Sequence, residues 1–313
     1  MRIFCATDLL PKSDPAIERA GLISDALRAD LTLLHVVVPG ESPLTLEQQL
    51  RRASSAMQSR VRPPRWPVQL APNLAVRAGG AANLIVDTAV ESHARLLVLG
   101  PHRKRPLRDA LEGTIAEKAL ATRKFPVLVV REPAQRAYRR VLLALDASDA
   151  SASAIRAAET LVLAPDAEAI VVHAHKPLYE GMLYSAHIGM ETVARYAENW
   201  SREATLSVRA LLKHESDDDS RYDIHIEHGP AAPGIAKAIE YLAPDLLVVG
   251  TGGAGRLRRA LIGSVANRVL HESGCDVLIV PAGSVGMPRS ELVFGGARSP
   301  RMREEGATRN GRG

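Results

Sequence analysis

The chain has 313 residues, 46% apolar but only 4% aromatic, so its cores must be built mainly from Val, Leu, Ile and Ala. The length suits about two domains. Two cysteines exclude a disulfide framework, no apolar run reaches the ~20 residues of a membrane span, and charges at Arg2 and Asp8 come too early for a secretory signal, so a cytoplasmic protein with reduced Cys5 and Cys275 is expected. The net charge of +5 raises the question of nucleic acid, but the arginines are spread along the chain and no aromatic residues interleave a basic patch, so nucleic-acid binding is not expected.

Taken in order, the chain states one plan twice. Arg2-Ile-Phe-Cys-Ala-Thr-Asp8 is echoed by Arg140-Val-Leu-Leu-Ala-Leu-Asp146, and Leu33-Leu-His35-Val36 by Val171-Val-His173-Ala174, both at an offset of 138. Ala78-Gly79 is echoed by His228-Gly229, Leu97-Val-Leu-Gly100 by Leu247-Val-Val-Gly250, and Gly113-Thr114 by Gly263-Ser264, all at an offset of 150. The second half therefore carries twelve extra residues between its second and third strands, within 176–222. In that half the apolar runs predict strands at 141–146, 169–173, 223–227, 246–250 and 277–280, with helices such as 150–161 and 234–242 between them. Apolar strands alternating with helices argue for a parallel sheet covered on both faces. Residues 131–139, with Pro133, read as a linker, and the basic, glycine-rich stretch from Ser284 reads as a disordered tail.

One stretch organises the second half: Gly250-Thr-Gly-Gly253-Ala-Gly-Arg-Leu-Arg-Arg-Ala-Leu-Ile-Gly263-Ser264, a G-x2-G-x9-G-S spacing between a strand and a helix. Glycine allows backbone to approach a ligand closely. Ser264 suits a helix N-cap, and a helix N-terminus favours a phosphate. The stretch lacks the Gly-Lys-Ser/Thr of a P-loop, and no dinucleotide fingerprint opens its helix. The spacing resembles the ATP-binding motif of the universal stress protein family, and the tandem plan over residues 1–283 is similar to two-domain members of that family.

The resemblance implies an α/β fold of two tandem doubly wound domains, at 1–133 and 138–283, each a five-stranded parallel sheet of order 3-2-1-4-5 with helices on both faces. It also implies ATP, with magnesium as its companion ion, held at Asp146, Ala174, Gly250, Gly253, Gly263 and Ser264. Asp146 would lie near the nucleoside, where a carboxylate can accept ribose hydroxyls; the residue equally suits a turn or a helix cap. Ala174 would offer backbone to the adenine edge. Arg256, Arg258 and Arg259 could add charge or simply face solvent. The family role implied is a nucleotide-responsive module in stress adaptation with a protein partner. The halves would form an intramolecular pseudo-dimer through their fifth strands, 127–130 and 277–280, and a homodimer stays open.

In the first half the equivalents are Asp8, Val36, Gly100, Gly113 and Thr114, but the second glycine has become Arg103. Either Arg103 fills the phosphate position or its guanidinium binds phosphate from a rearranged loop; an empty or weakened site is the expectation. Thr114 with Glu117 reads as a capping box. His35 and His173 occupy equivalent strand positions and read as structural. His175 and His228 read as ordinary surface histidines, with no metal expected; the alternative is a zinc site in which Glu227 or another acid joins them. No nucleophile elbow and no His-Glu-x-x-His helix is present, so no enzyme is expected beyond slow ATP hydrolysis.

Overall fold

Strand β1 (Arg2–Ala6) alternates its side chains between two apolar layers, and the whole molecule follows from that alternation. Ile3 and Cys5 enter one core and Phe4 and Ala6 the other. The computed structural model describes residues 1–40, 44–61, 70–101, 114–146, 148–175, 190–251 and 264–284. After β1 come α1 (Asp14–Leu27), β2 (Asp30–Val37), α2 (Leu46–Arg60), β3 (Asn73–Ala78), α3 (Ala81–Glu91), β4 (Leu96–Leu99), α4 (Ile115–Ala121) and β5 (Val127–Val129). The second half runs β6 (Arg140–Ala144), α5 (Asp149–Leu161), β7 (Glu168–His175), α6 (Met190–Glu215), β8 (Tyr222–His228), α7 (Ala231–Leu242), β9 (Leu246–Thr251), α8 (Ser264–Glu272) and β10 (Asp276–Pro281).

Each half has the expected order 3-2-1-4-5, and the halves fuse into a single ten-stranded sheet, β3-β2-β1-β4-β5-β10-β9-β6-β7-β8. The pairs within each half are parallel. The seam is antiparallel, with Val277 opposite Val129, Leu278 opposite Leu128 and Ile279 opposite Val127. An antiparallel join between two copies of one parallel plan is what a twofold axis through the seam produces. The fifth strands thus meet as the family resemblance implies.

Core side chains from α1, α2, α5 and α6 cover one face, and those from α3, α4, α7 and α8 cover the other. Both cores run across the seam. The extra residues of the second half lengthen its second crossover helix: α6 has 26 residues where α2 has 15. The strands begin and end within two residues of their expected limits. The largest shifts are at the ends of β6, which stops at Ala144 where Asp146 turns its carboxylate back onto the following residues, and of β7, which runs on to His175.

A polar network locks the linker against the seam. Asp276, 1% exposed at the start of β10, accepts hydrogen bonds from the Tyr138 hydroxyl at 2.7 Å and from the backbone N–H groups of Arg131 at 2.7 Å and Glu132 at 3.2 Å. Arg19 of α1 lies 3.6 Å from the same carboxylate and stacks over Tyr138 with its guanidinium carbon 3.7 Å from the ring centre. Burial, then the Asp276 charge, push the Tyr138 hydroxyl well above its ordinary pKa, so it remains a donor. Desolvation lowers the pKa of the Arg131 guanidinium, which reaches the Leu270 carbonyl at 2.5 Å.

Candidate functional site

In each half the winding reverses between the first and fourth strands, β1 with β4 and β6 with β9. A crevice opens there at the carboxyl ends of the strands, the usual ligand position in such sheets. The register pairs Ala144 with Val249, so Asp146 and Gly250 flank the second-half crevice. Ala6 pairs with Leu99, which puts Asp8 and Gly100 at the first.

The two acids are held alike. The Ser151 hydroxyl donates to Asp146 Oδ1 at 2.8 Å, and the Ser13 hydroxyl to Asp8 Oδ1 at 2.6 Å. Asp146 Oδ1 also accepts the Ser148 backbone N–H at 3.2 Å and the Ser148 hydroxyl. At Asp146 the bonds given by the described residues fall on Oδ1, which fixes the plane of that carboxylate. Asp146 therefore starts the turn, and Ser148 caps α5. The pairing of Ser13 and Ser151 is legible in hindsight, since both obey the offset of 138.

Ala174 lies past the end of β6. Val172 C=O accepts the Leu145 N–H at 3.0 Å, so Val172 turns its backbone towards β6. Two residues further on, strand periodicity turns the Ala174 N–H and C=O to the same side, where β6 has ended. Val36 repeats this beyond β1, after the Leu34 C=O accepts the Thr7 N–H at 3.0 Å. Backbone at this position is thus available to a ligand edge in both halves.

Gly250 has a cause that the sequence did not suggest. A Cβ there would stand 2.6 Å from the Ala150 carbonyl oxygen, in the first turn of α5. Its missing side chain lets the helix close on the strand end. Gly100 has a milder version, with Ser13 atoms at 3.2 to 3.5 Å from the added carbon. Gly253, Gly263, Gly113, Arg103, Arg256, Arg258 and Arg259 lie outside the described residues. Ser264 begins α8, as its expected place at a helix start requires. Thr114 caps α4 in a complete capping box, with Thr114 N–H to Glu117 at 2.6 Å and Glu117 N–H to Thr114 Oγ1 at 3.1 Å.

The first-half crevice is a cavity of about 800 Å³ whose lining includes Asp8, Val36, Gly100 and Thr114. The structure thus brings together the described residues of that predicted set. Beside Asp8, Leu9 has a left-handed φ of 59°, unusual for a branched side chain. Its N–H bonds Thr7 Oγ1 at 3.0 Å, and its carbonyl accepts from Arg60 of α2 at 2.5 Å. The 51-residue separation of that contact hid it from sequence reading.

The two pairs of histidines differ in their surroundings. His35 Nδ1 lies 2.8 Å from the Thr7 carbonyl and His173 Nδ1 2.8 Å from the Leu145 carbonyl, the same structural bond in each half. His175 and His228 are register partners on β7 and β8. Glu227 cannot join His228, because adjacent strand residues face opposite ways. His228 meets Ser201 of α6 at 3.3 Å, whereas Glu227 accepts from Lys237 at 3.0 Å and Tyr241 at 2.8 Å on α7. Burial pushes the Glu227 carboxyl up, but those two donors outweigh it and hold the pKa below the ordinary value. Among the described residues no cluster of three metal-ligating side chains occurs.

A twofold-related pair of doubly wound α/β units, each with an acid and a glycine across its switch point, defines a tandem protein of the doubly wound α/β class. The sequence profile of the universal stress protein family matches residues 1–131 and 137–281. The chain belongs to that family. A universal stress protein A homolog of Coxiella burnetii is 32% identical over 145 residues, 46% of this chain and 96% of the relative. A universal stress protein of Methanocaldococcus jannaschii is 31% identical over 147 residues, 46% of this chain and 82% of its own length. A universal stress protein from Archaeoglobus fulgidus shares the fold over 90% of this chain and 98% of that one, with a TM-score of 0.58 at 17% identity. A functionally unknown protein from Pseudomonas aeruginosa PAO1 gives 0.58 at 20% identity, covering 90% and 92%. Among the described residues no helix is long and apolar enough to cross a membrane.

Proposed function

We propose that the second half binds one ATP, with magnesium as its companion ion, and that the protein is a nucleotide-responsive module in stress adaptation and not an enzyme. The observation that carries this reading is the pairing of β6 with β9, which sets the oriented carboxylate of Asp146 opposite the strand that feeds the G-x2-G-x9-G-S stretch. Asp146 would accept ribose hydroxyls through Oδ2, the Ala174 backbone would meet the adenine edge, and Gly253, Gly263 and Ser264 would hold the phosphates. Gly250 would join them through its backbone, and its packing on Ala150 gives it a part in holding α5 against the strand end as well.

The first half keeps the acid and the capped helix but has Arg103 where Gly253 stands in the second. One charge-assisted phosphate bond is worth about 1.5–3 kcal/mol, roughly a factor of 10 to 150 in affinity. Losing several such bonds would empty the first half of triphosphate. Calorimetric titration of the whole chain with ATP is expected to give a stoichiometry near one, abolished by Gly253→Val in a folded protein. Unchanged affinity in that variant would place the phosphates elsewhere and overturn the reading.

A further inference from the structure

The two halves share one backbone plan at the ends where their strands begin, but not one charge. The Asp30 N–H reaches the Met1 carbonyl at 2.8 Å and the Arg95 N–H the Arg2 carbonyl at 2.9 Å. In the second half Glu168 reaches Arg139 at 2.7 Å and Asp245 reaches Arg140 at 3.1 Å. On that common frame Arg95, Arg123 and Lys124 of the first half stand where the second has Asp245, Ser273 and Gly274, all at the offset of 150. Arg123 and Lys124 are exposed in the turn between α4 and β5. The turn is fixed by a left-handed φ of 55° at Arg123, whose N–H bonds the Leu120 carbonyl at 3.1 Å.

The seam decides what these charges face. Core residues of α1 and α5 share one face and those of α4 and α8 the other, so the pseudo-twofold axis stands normal to the sheet. It brings the starting ends of the first half's strands to the same rim as the crevice of the second half. Val127 of β5 lies opposite Ile279, so Pro126 continues opposite Val280, and Val280 pairs on its other side with Gly250. Two strand spacings, about 10 Å, therefore separate the turn of Arg123 and Lys124 from the strand end that feeds the G-x2-G-x9-G-S stretch. Arg95, before β4, is three spacings away, about 15 Å, and Asp30, at the start of β2, is five, about 24 Å. The mirrored contact is seen directly in the first half. Leu270 and His271, in the last turns of α8, line its cavity with Asp8 and Gly100, and His271 Nε2 stands 3.7 Å from Glu117 Oε1 of α4. The residues that follow there are Glu272, Ser273 and Gly274, which bring that crevice no fixed cation.

We propose that Arg123 and Lys124 of the first half form a cationic rim for the crevice of the second half and raise its affinity for a polyphosphate anion. The inference rests on the ATP reading above and adds to that site two residues from the other half. At ~0.1 M salt the screening length is about 10 Å, so this pair acts on the crevice while Arg95 and Asp30 are largely screened. The crevice of the first half receives the opposite treatment, because Asp245 and Glu272 lie at its rim in the mirrored places. Two binding ends built on one plan thus differ in the potential that an incoming anion meets.

The test is calorimetric titration of the whole chain with ATP in the presence of magnesium, at low and at high salt. One variant carries Arg123→Gln with Lys124→Gln. A control carries Arg136→Gln with Arg139→Gln, which removes the same charge from exposed positions at the opposite rim. An unchanged thermal midpoint checks that both fold. The first variant is expected to bind ATP about fivefold more weakly at ~10 mM salt and within about twofold of the wild type at ~1 M, where the screening length falls to about 3 Å. The control is expected to follow the wild type at both. Wild-type affinity in the first variant at low salt would overturn the inference. Equal weakening in both variants would do so too, since net charge alone would then be the cause. A loss that persists at high salt would also do so, by marking a structural effect. These three outcomes leave the ATP reading standing. A wild type that binds no ATP, or binding that survives Gly253→Val, overturns that reading and this inference with it.

Discussion

Comparing the two halves separates what the fold needs from what a ligand needs. Both halves hold the strand-ending acid with a serine five residues on, and both pin a histidine to the preceding carbonyl at 2.8 Å. Both turn out of the third strand through a glycine of positive φ, 155° at Gly79 and 117° at Gly229. They differ where nothing in the sheet requires identity: the length of the second crossover helix, the residue at the second glycine of the loop, and the polar anchoring of the fifth strand. The shared features are therefore read as scaffold, and the differing ones as the place to look for function.

The largest effect is expected where the asymmetry is buried. Asp276 anchors the linker at the head of β10, whereas the first half has Pro126 at that place in its repeat. Removing the carboxylate by Asp276→Ala leaves Arg19 and Tyr138 buried without their acid and should cost about 3–5 kcal/mol. Denaturant unfolding of the whole chain reads it; a loss below ~1 kcal/mol would show that the network contributes little and that the apolar seam suffices.

A sharper comparison sets Gly250→Ala against Gly100→Ala. The added carbon meets the Ala150 carbonyl at 2.6 Å in the first case and nothing nearer than 3.2 Å in the second. The second-half variant should lose about 2–3 kcal/mol and the first-half variant about 1 kcal/mol or less. Equal losses would contradict the packing origin of the difference. The smallest effect concerns the serines. Ser151 Oγ both donates to Asp146 and accepts its N–H at 2.7 Å, while Ser13 Oγ donates to Asp8. Ser151→Ala should therefore cost about 1.5 kcal/mol and Ser13→Ala about 1 kcal/mol. The same pair of variants should lower ATP affinity only through Asp146, so Ser13→Ala leaves the titration unchanged.

Much of the fold was legible because the chain repeats itself. Offsets of 138 and 150 align eight strands in the sequence, and the meeting of the fifth strands follows from family likeness. The change between those offsets puts the extra residues between the second and third strands, and the structure shows that they lengthen α6. What sequence missed was of two kinds. Glu227 and His228 are neighbours in sequence, but strand alternation sends them to opposite faces. The Arg19–Tyr138–Asp276 cluster was out of reach, since its members are brought together only by a sheet that closes across both halves, over a separation of 138 residues in the Tyr138–Asp276 bond. Gly250 belongs to neither kind: its spacing suggested a phosphate, and the geometry supplies a reason in helix packing that the same residue satisfies.

The antiparallel seam also bears on what such a molecule can become. Two identical chains meeting at this edge would be bound by their symmetry: any substitution at one crevice would appear at the other, and a change that emptied one site would empty both. Joined by the 131–139 linker, whose Tyr138 is tied to Asp276, the two crevices are written separately in one sequence. Arg103 can then stand in one loop while Gly253 stands in the other, and His271 can reach a neighbour that has no histidine to return, because Ala121 occupies the mirrored place. Fusion keeps the geometry of a dimer and releases its two sites from having to agree.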